Sequence, residues 1–485
     1  MTSDDQSPVT PDELNPAAGF QLLMRLQVEN RPGMLGLITT ALGDTGVYIQ
    51  DIDTIDASAK RMVREFRVLC RDAEQAREAV QAVDALQGVD VLLASDRTFQ
   101  LHRNGKIEIH NKVHIRTNAE LAHVYTPGVG RVSMAIHDNP EAVWSLTMKG
   151  NAIAIVTDGT AVLGLGDIGP EAALPVMEGK SMLFKSFANI DAFPICLDTK
   201  DTEEIIAIVK AISPGFGGIL LEDISAPRCF EIEDRLRAEL SIPVFHDDQH
   251  GTAVIVLAAL MNSLKIVQKR PEDLKVVVLG AGASATACTK ILMNYGVKDF
   301  TVFDRTGAIY EGRDNLNSAK QWVAEHTNRE GFDGSLQDAL RGADMLLGLS
   351  GPNLVEPEWV KPMAKDSLVF ALSNPTPEVM PGLIQGMARV IATGRSDFPN
   401  QVNNHLCFPG LFRGALDAGA KNITEEMKIV AARAIAETIP DSQLHEEYIL
   451  PSAFNEDLLP RVRDAVAAEA VRSGDVREEH PRVFI

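Results

Sequence analysis

Residues 217–253, GGILLEDISAPRCFEIEDRLRAELSIPVFHDDQHGTA, constrain the fold of this chain more than any other stretch. Two short apolar runs, Ile219-Leu220-Leu221 and Ile242-Pro243-Val244-Phe245, each break abruptly into acid. Glu222-Asp223 follows the first and Asp247-Asp248 the second. Between them Phe230, Ile232, Leu236 and Leu240 recur at helical spacing. Strand, helix, strand in that order is a βαβ unit with parallel strands. Parallel strands end on one edge of a sheet, so the two acidic pairs should meet there. Carboxylates gathered in this way repel one another unless a cation or a proton is shared. A hard divalent ion with oxygen ligands, Mg²⁺ or Mn²⁺, suits them. Either pair alone would serve equally as a helix cap or a solvated loop. Two pairs at matching strand ends point to a metal.

At 485 residues the chain has room for about three domains. Its formal charge of −21 argues against nucleic acid or an anionic membrane surface as partner. The apolar run 253–261 falls far short of the roughly 18–20 residues that span a bilayer. The first residues, MTSDDQSPVTPDELNP, are acidic and polar, unlike a secretory signal. Five cysteines without a CxxC read as reduced thiols and place the protein in a cytoplasm.

Residues 1–18, rich in Ser, Pro and Asp, read as a disordered tail. Residues 19–97 then give strand, helix, strand, strand, helix, strand, the order of a ferredoxin-like module. This module resembles an ACT domain, in which a Gly-bearing loop after the first strand helps hold a small effector, often an amino acid. Arg31, Gly33, Met34 and Leu35 occupy that place here. A dimerisation module without a ligand would have the same pattern.

A hairpin is expected over FQLHRNGKIEIH, turning at Asn104-Gly105. Tyr125 follows at a Thr-Pro-Gly turn. A second hairpin, through Asp158-Gly159, leads to a Gly-rich loop and a helix carrying Lys180 and Lys185 beside Met182-Leu183-Phe184. A lysine half-buried there would have a lowered pKa and could serve as a base.

Taken together, YTPGVG, VTDGTAVLGLGDIGPEAALPVMEGKSMLFKSF, LLEDISAP and PVFHDDQHGTA closely resemble the malic enzymes of the shorter bacterial type. The resemblance runs from about residue 100 to the C-terminus. It implies that Tyr125 and Lys180 are the acid–base pair, with Asp247 assisting the lysine. It also implies that Glu222, Asp223 and Asp248 hold the metal. Larger malic enzymes carry an arginine after TDG that holds a substrate carboxylate; Thr160 and Ala161 stand there instead.

KVVVLGAGASATACTKILMNYGVKDFTVFDRTG is a strand, glycine turn, helix and strand. The turn, Gly280, Ala281, Gly282, Ala283, Ser284 and Ala285, is a Rossmann fingerprint with alanine at the third glycine position. Asp304 ends the second strand at the expected distance, where its carboxylate suits the ribose 2′-OH of NAD, whereas Arg305 beside it suits the 2′-phosphate of NADP. By the same resemblance Asn374 lies by the nicotinamide and substrate. A second substrate asparagine is Asn404, with Asn403 the alternative.

The expected architecture is therefore α/β. A Rossmann-type doubly wound parallel sheet (251–485) follows an α/β malic-enzyme N-domain (98–250), with the ferredoxin-like βαββαβ ACT module ahead of both. The expected activity is metal-dependent oxidative decarboxylation of (S)-malate with NAD or NADP, in a homodimer or higher homo-oligomer. The alternatives are malolactic conversion of malate to lactate and a non-catalytic metabolite sensor.

Overall fold

The structure is a computed structural model and describes residues 20–162 and 164–477; the expected tail lies outside the described residues. The chain divides into two compact units, one ending at Lys106 and the other beginning at Ile107.

The first unit runs β1 (Phe20–Glu29), α1 (Met34–Asp44), β2 (Tyr48–Ala57), β3 (Arg61–Cys70), α2 (Ala73–Asp84), β4 (Val89–Asp96) and α3 (Arg97–His102). Its four strands form an antiparallel sheet of order β2-β3-β1-β4, the ferredoxin-like arrangement. Alternation on β1 sets the face: Leu22, Met24, Leu26 and Val28 join Ile38 and Leu42 of α1 and Ala79 and Val83 of α2 in one core. The hairpin expected over 99–110 does not form. Asp96 accepts a hydrogen bond from the backbone N–H of Thr98 and caps α3 instead. Asn104 and Gly105 do reverse the chain, with φ of 65° and 84°, but after a helix rather than between strands.

The second unit opens with α4 (Asn118–Val124), α5 (Val129–Asp138) and α6 (Val143–Leu146). There follow β5 (Ala152–Thr157), α7 (Pro170–Ala188), β6 (Asp191–Cys196), α8 (Thr202–Ile212), β7 (Gly218–Leu221), α9 (Arg228–Glu239) and β8 (Val244–His246). These strands form a parallel sheet of order β6-β5-β7-β8. The hairpin expected through Asp158-Gly159 is absent. Asp158 accepts from the N–H and hydroxyl of Thr160, and the Ala161 N–H bonds to the Asp223 carbonyl, so the chain is fastened as a loop to the strand end next door.

Helix α10 (Thr252–Val267) leads to β9 (Lys275–Leu279), α11 (Ala283–Tyr295), β10 (Asp299–Asp304), β11 (Gly307–Ala308), α12 (Ser318–His326), α13 (Leu336–Leu340) and β12 (Met345–Gly348). After these come α14 (Pro357–Val360), β13 (Leu368–Ala371), α15 (Pro381–Ile384), β14 (Val390–Thr393), α16 (Phe408–Ala418), α17 (Glu425–Ala436) and α18 (Leu458–Ser473). The six strands have the order β11-β10-β9-β12-β13-β14, parallel apart from β11, which is the doubly wound Rossmann pattern. Its central strands are buried on both faces, hence the unbroken apolar run of Val276, Val277 and Val278. Both sheets share one core with α10, in which every residue from Ala253 to Leu264 is buried. Together with the turn before it, this helix spans Asp247–Val267 and is long and apolar enough to cross a bilayer, but it is mostly buried inside the unit. Its hydrophobicity serves packing on all sides.

Candidate active site

Strands β7 and β8 pair in parallel with Leu221 opposite His246, so Glu222 and Asp247 leave the sheet side by side. The expected convergence of acid pairs follows from this register. Glu222, Asp223 and Asp248 each present an oxygen within 4.8 Å of the others. Asp223 has a left-handed backbone, φ 54°, and its N–H donates to the Asp248 carboxylate at 2.9 Å. Glu222 Oε2 is buried without a hydrogen-bond partner. Burial pushes the Glu222 carboxyl well up, and Asp248, Asp247 and Asp223 add to this, while Lys180 pulls the other way. Three hard oxygen donors in this electrostatic state fit a divalent ion of the Mg²⁺ or Mn²⁺ class.

Lys180 projects from α7 with its side chain 13% exposed and lies 2.9 Å from Glu222 Oε1. It also donates to Asp247 Oδ2 in a close ion pair. Asp247 is fully buried. Asn404 Nδ2 donates to the same carboxylate at 3.1 Å, and Thr252 Oγ1 donates to Asn404 Oδ1 at 3.1 Å. Asn403 instead accepts from the His405 N–H, which separates the two candidate asparagines. Lys185 pairs with Asp191 at the surface, which separates the two lysines. The expected lowering of the Lys180 pKa does not hold in this arrangement. Burial does act downward, but the Asp247 and Glu222 carboxylates outweigh it and hold the ammonium above the usual lysine range.

Residues Asp247–Gly251 form a wide π-type turn. A Cβ on Gly251 would lie 2.0 Å from Asp247 Oδ1, so only glycine lets the turn close on that carboxylate. Glu233 accepts from the His246 N–H, the Gln249 amide and His250 Nε2 at 3.1, 3.0 and 2.9 Å. Burial opposes ionisation of Glu233, but the His250 contact and the charge of Lys428 help bring its pKa down to about 2.

The dinucleotide loop lies against this turn. Gly280 has φ 124° and a Cβ there would sit 2.3 Å from the Leu349 carbonyl, whereas a Cβ on Gly282 would meet open space. Gly282 and the N-terminus of α11, beginning with Ala283, Ser284 and Ala285, therefore suit a pyrophosphate. Ser284, expected to face the cofactor, donates its hydroxyl to the Asp248 carbonyl at 2.7 Å and ties the two loops together. Asn374 follows β13; its carbonyl abuts Gly164 and its amide abuts Gly394 so closely that a Cβ at either glycine would collide. Asp304 is already engaged by Arg313 and by Lys320 at 2.7 Å. Although burial acts upward, Arg313, Lys320 and Thr306 hold its carboxyl far below the usual range. Arg305 is exposed and takes no part in that cluster.

Residues 104–237 match the malic enzyme N-terminal domain, and residues 249–381 and 385–471 match the malic enzyme NAD-binding domain. The chain belongs to the malic enzyme family. It is 54% identical to an NAD-dependent malic enzyme of Geobacillus stearothermophilus over 96% of this chain and 97% of that one. It is 52% identical to a bifunctional malic/malolactic enzyme of Bacillus subtilis over 77% of this chain and 92% of the relative. Among solved structures, an NAD-dependent malic enzyme of Thermotoga maritima superposes with a TM-score of 0.73 at 47% identity, covering 76% of this chain and 98% of that one.

Malic enzyme motifs thus account for the lysine, the carboxylates and the dinucleotide loop, whereas Tyr125 is exposed. Its side chain is 66% exposed at the end of α4, and no hydrogen bond joins it to Lys180. Helices α4 and α5 bury no side chain at all. Beside the vacated arginine position, Arg228 donates to Thr160 Oγ1 and Ser225 Oγ, both at 3.1 Å, and pairs with Asp158 at 2.9 Å. In the first unit, Arg31 pairs with Glu29, Gly33 opens α1 with φ 88°, and Leu35 is exposed. Met34 is buried in the module core and so cannot face an effector. Glu233 and His250 were not foreseen as site residues. The available signal was a glutamate on the apolar stripe of α9, beside Cys229, Ile232 and Leu236.

Proposed function

We propose that this chain oxidises (S)-malate to pyruvate and CO₂ with reduction of NAD or NADP, using Mg²⁺ or Mn²⁺ held by Glu222, Asp223 and Asp248. The observation that carries this reading is Lys180, placed between Asp247 and the metal carboxylate Glu222. When bound, the ion supplies Lewis-acid polarisation of the malate C2 oxygen and, by taking up the Glu222 charge, leaves Lys180 freer to lose its proton. Lys180 Nζ then accepts the proton of the C2 hydroxyl as the C2 hydride passes to the dinucleotide. Asp247, fixed by Asn404, keeps the ammonium so formed in place. The resulting oxaloacetate loses its C4 carboxylate as CO₂, and the Tyr125 hydroxyl protonates C3 of enolpyruvate to give pyruvate.

The exposure of Tyr125 and of the apolar Val124, Val129, Val132 and Met134 around it favours a site assembled from two copies of the chain. The second copy covers this face, and the phenol completes that copy's lysine and metal centre. The two cations against the single Asp304 carboxylate leave room for a 2′-phosphate as well as a 2′-hydroxyl. The first unit is read as an ACT-like module that takes an amino acid or related acid near Arg31, Gly33 and Leu35. A selective thermal shift of the full chain by such a compound supports that role.

The Bacillus subtilis relative, named for both activities, makes malolactic turnover the second reading. Product analysis decides between them. Incubation with (S)-malate, Mn²⁺ and NAD or NADP should give NAD(P)H and pyruvate one for one, stopping with EDTA. Lactate without net NAD(P)H would overturn the oxidative reading.

A further inference from the structure

Helix α9 buries Cys229, Ile232 and Leu236, and with them one carboxylate, Glu233, which is 3% exposed. Its two oxygens receive the three donors that bracket Asp247 and Asp248: the His246 N–H, the Gln249 amide and His250 Nε2. His250 accepts through Nδ1 from Lys428 Nζ at 3.0 Å. The Lys428 side chain is 1% exposed and also binds Glu425, three residues back on α17. A line of polar groups thus runs from α17, through His250 and Glu233, to the metal turn. Burying charge is costly, and apolar side chains would pack α9 against its neighbours at less cost. A wide π-type turn has few backbone bonds of its own to hold two carboxylates in different directions. Glu233 supplies what the backbone lacks.

We propose that Glu233 is the positioning residue of the metal turn: by fixing three donors around Asp247 and Asp248 it aims the first at Lys180 and the second at the metal. This rests on reading Glu222, Asp223 and Asp248 as the metal ligands. Outer partners of metal ligands typically carry a 10–100-fold share of metal affinity.

The test is direct Mn²⁺ binding to the full chain without malate, read from the paramagnetic resonance of the free ion. NAD(P)H fluorescence titration accompanies it, for the unaltered protein, Asp248→Asn and Glu233→Gln. Glu233→Gln turns one acceptor into a donor facing other donors. It should weaken Mn²⁺ binding about 10–100-fold while NAD(P)H affinity stays within about twofold. If the unaltered protein binds no Mn²⁺, or Asp248→Asn binds it equally well, the metal reading falls and this proposal with it. If Asp248→Asn loses Mn²⁺ but Glu233→Gln does not, the positioning role alone is overturned. Equal weakening of Mn²⁺ and NAD(P)H would also overturn it, since that marks general damage. Should Glu233→Gln fail to fold, Lys428→Met takes its place. An expected Mn²⁺ weakening of about three- to tenfold supports the line of contacts, and none refutes it.

Discussion

The surroundings of Lys180 and of Tyr125 differ in how far this chain encloses them. Around Lys180 the surroundings are closed: Asp247 is fully buried, Asn404 and Thr252 hold it, and Phe408 places its ring 4.9 Å from the ammonium. Around Tyr125 they are open, and α4 and α5 bury nothing. Orientation and charge of Lys180 are therefore set within the chain, by Asp247 and the groups that hold it. No buried contact of α4 or α5 fixes the position of Tyr125.

Activity should break hardest at the closed half. Lys180→Ala is expected to reduce malate oxidation by about 10²–10⁴-fold, whereas Lys185→Ala, whose ion pair is at the surface, should stay close to the unaltered rate in steady-state assays. The reverse pattern would assign the base to the wrong lysine. Stability sharpens the same contrast. In metal-free protein, Lys180→Ala strands the buried Asp247 without its cation and should cost about 3–5 kcal/mol in urea unfolding. Tyr125→Phe should leave unfolding unchanged while depressing turnover. Comparable losses from both would mean that the tyrosine is packed as firmly as the lysine.

A charge placed on the open face tests its cover. Met134→Glu should raise the dissociation constant of the proposed dimer at least about tenfold in light scattering and leave Mn²⁺ affinity unaltered. A smaller effect concerns pH. Burial, then the charge of Lys180, holds His405 down to about 4, against the pull of Asp247. A histidine lowered on folding is protonated first in the unfolded chain, so its contribution is present above the ordinary value near 6.5 and is lost as pH falls towards 4. His405→Gln should flatten the decline in thermal midpoint over that window. An unchanged slope would place the acid sensitivity elsewhere.

The closed half was legible in the sequence because parallel strands leave no choice about where Glu222 and Asp247 emerge. The dinucleotide loop was legible for a similar reason, its glycines lying between strand and helix. The charge state of Lys180 was not, since it depends on carboxylates 42 and 67 residues away that must be summed in space. Glu233 was marked in the sequence only by its place on the apolar stripe of α9, and its role needed partners more than a dozen positions on. Asn104-Gly105 signalled a turn correctly, but a turn does not specify its flanks, and the Asp96 cap decided for a helix. Tyr125 was named by motif alone, which says nothing of what surrounds it.

Mixing the two acid–base variants tests that division most directly. Tyr125→Phe and Lys180→Ala proteins, each nearly inactive alone, are unfolded together, refolded and assayed with (S)-malate, Mn²⁺ and NAD or NADP. If each site takes its lysine and metal from one copy and its tyrosine from the other, the mixed dimers carry one intact site and activity returns to about a quarter of the unaltered level. Activity no greater than the sum of the two variants would contradict the account and return Tyr125 to the lysine of its own chain.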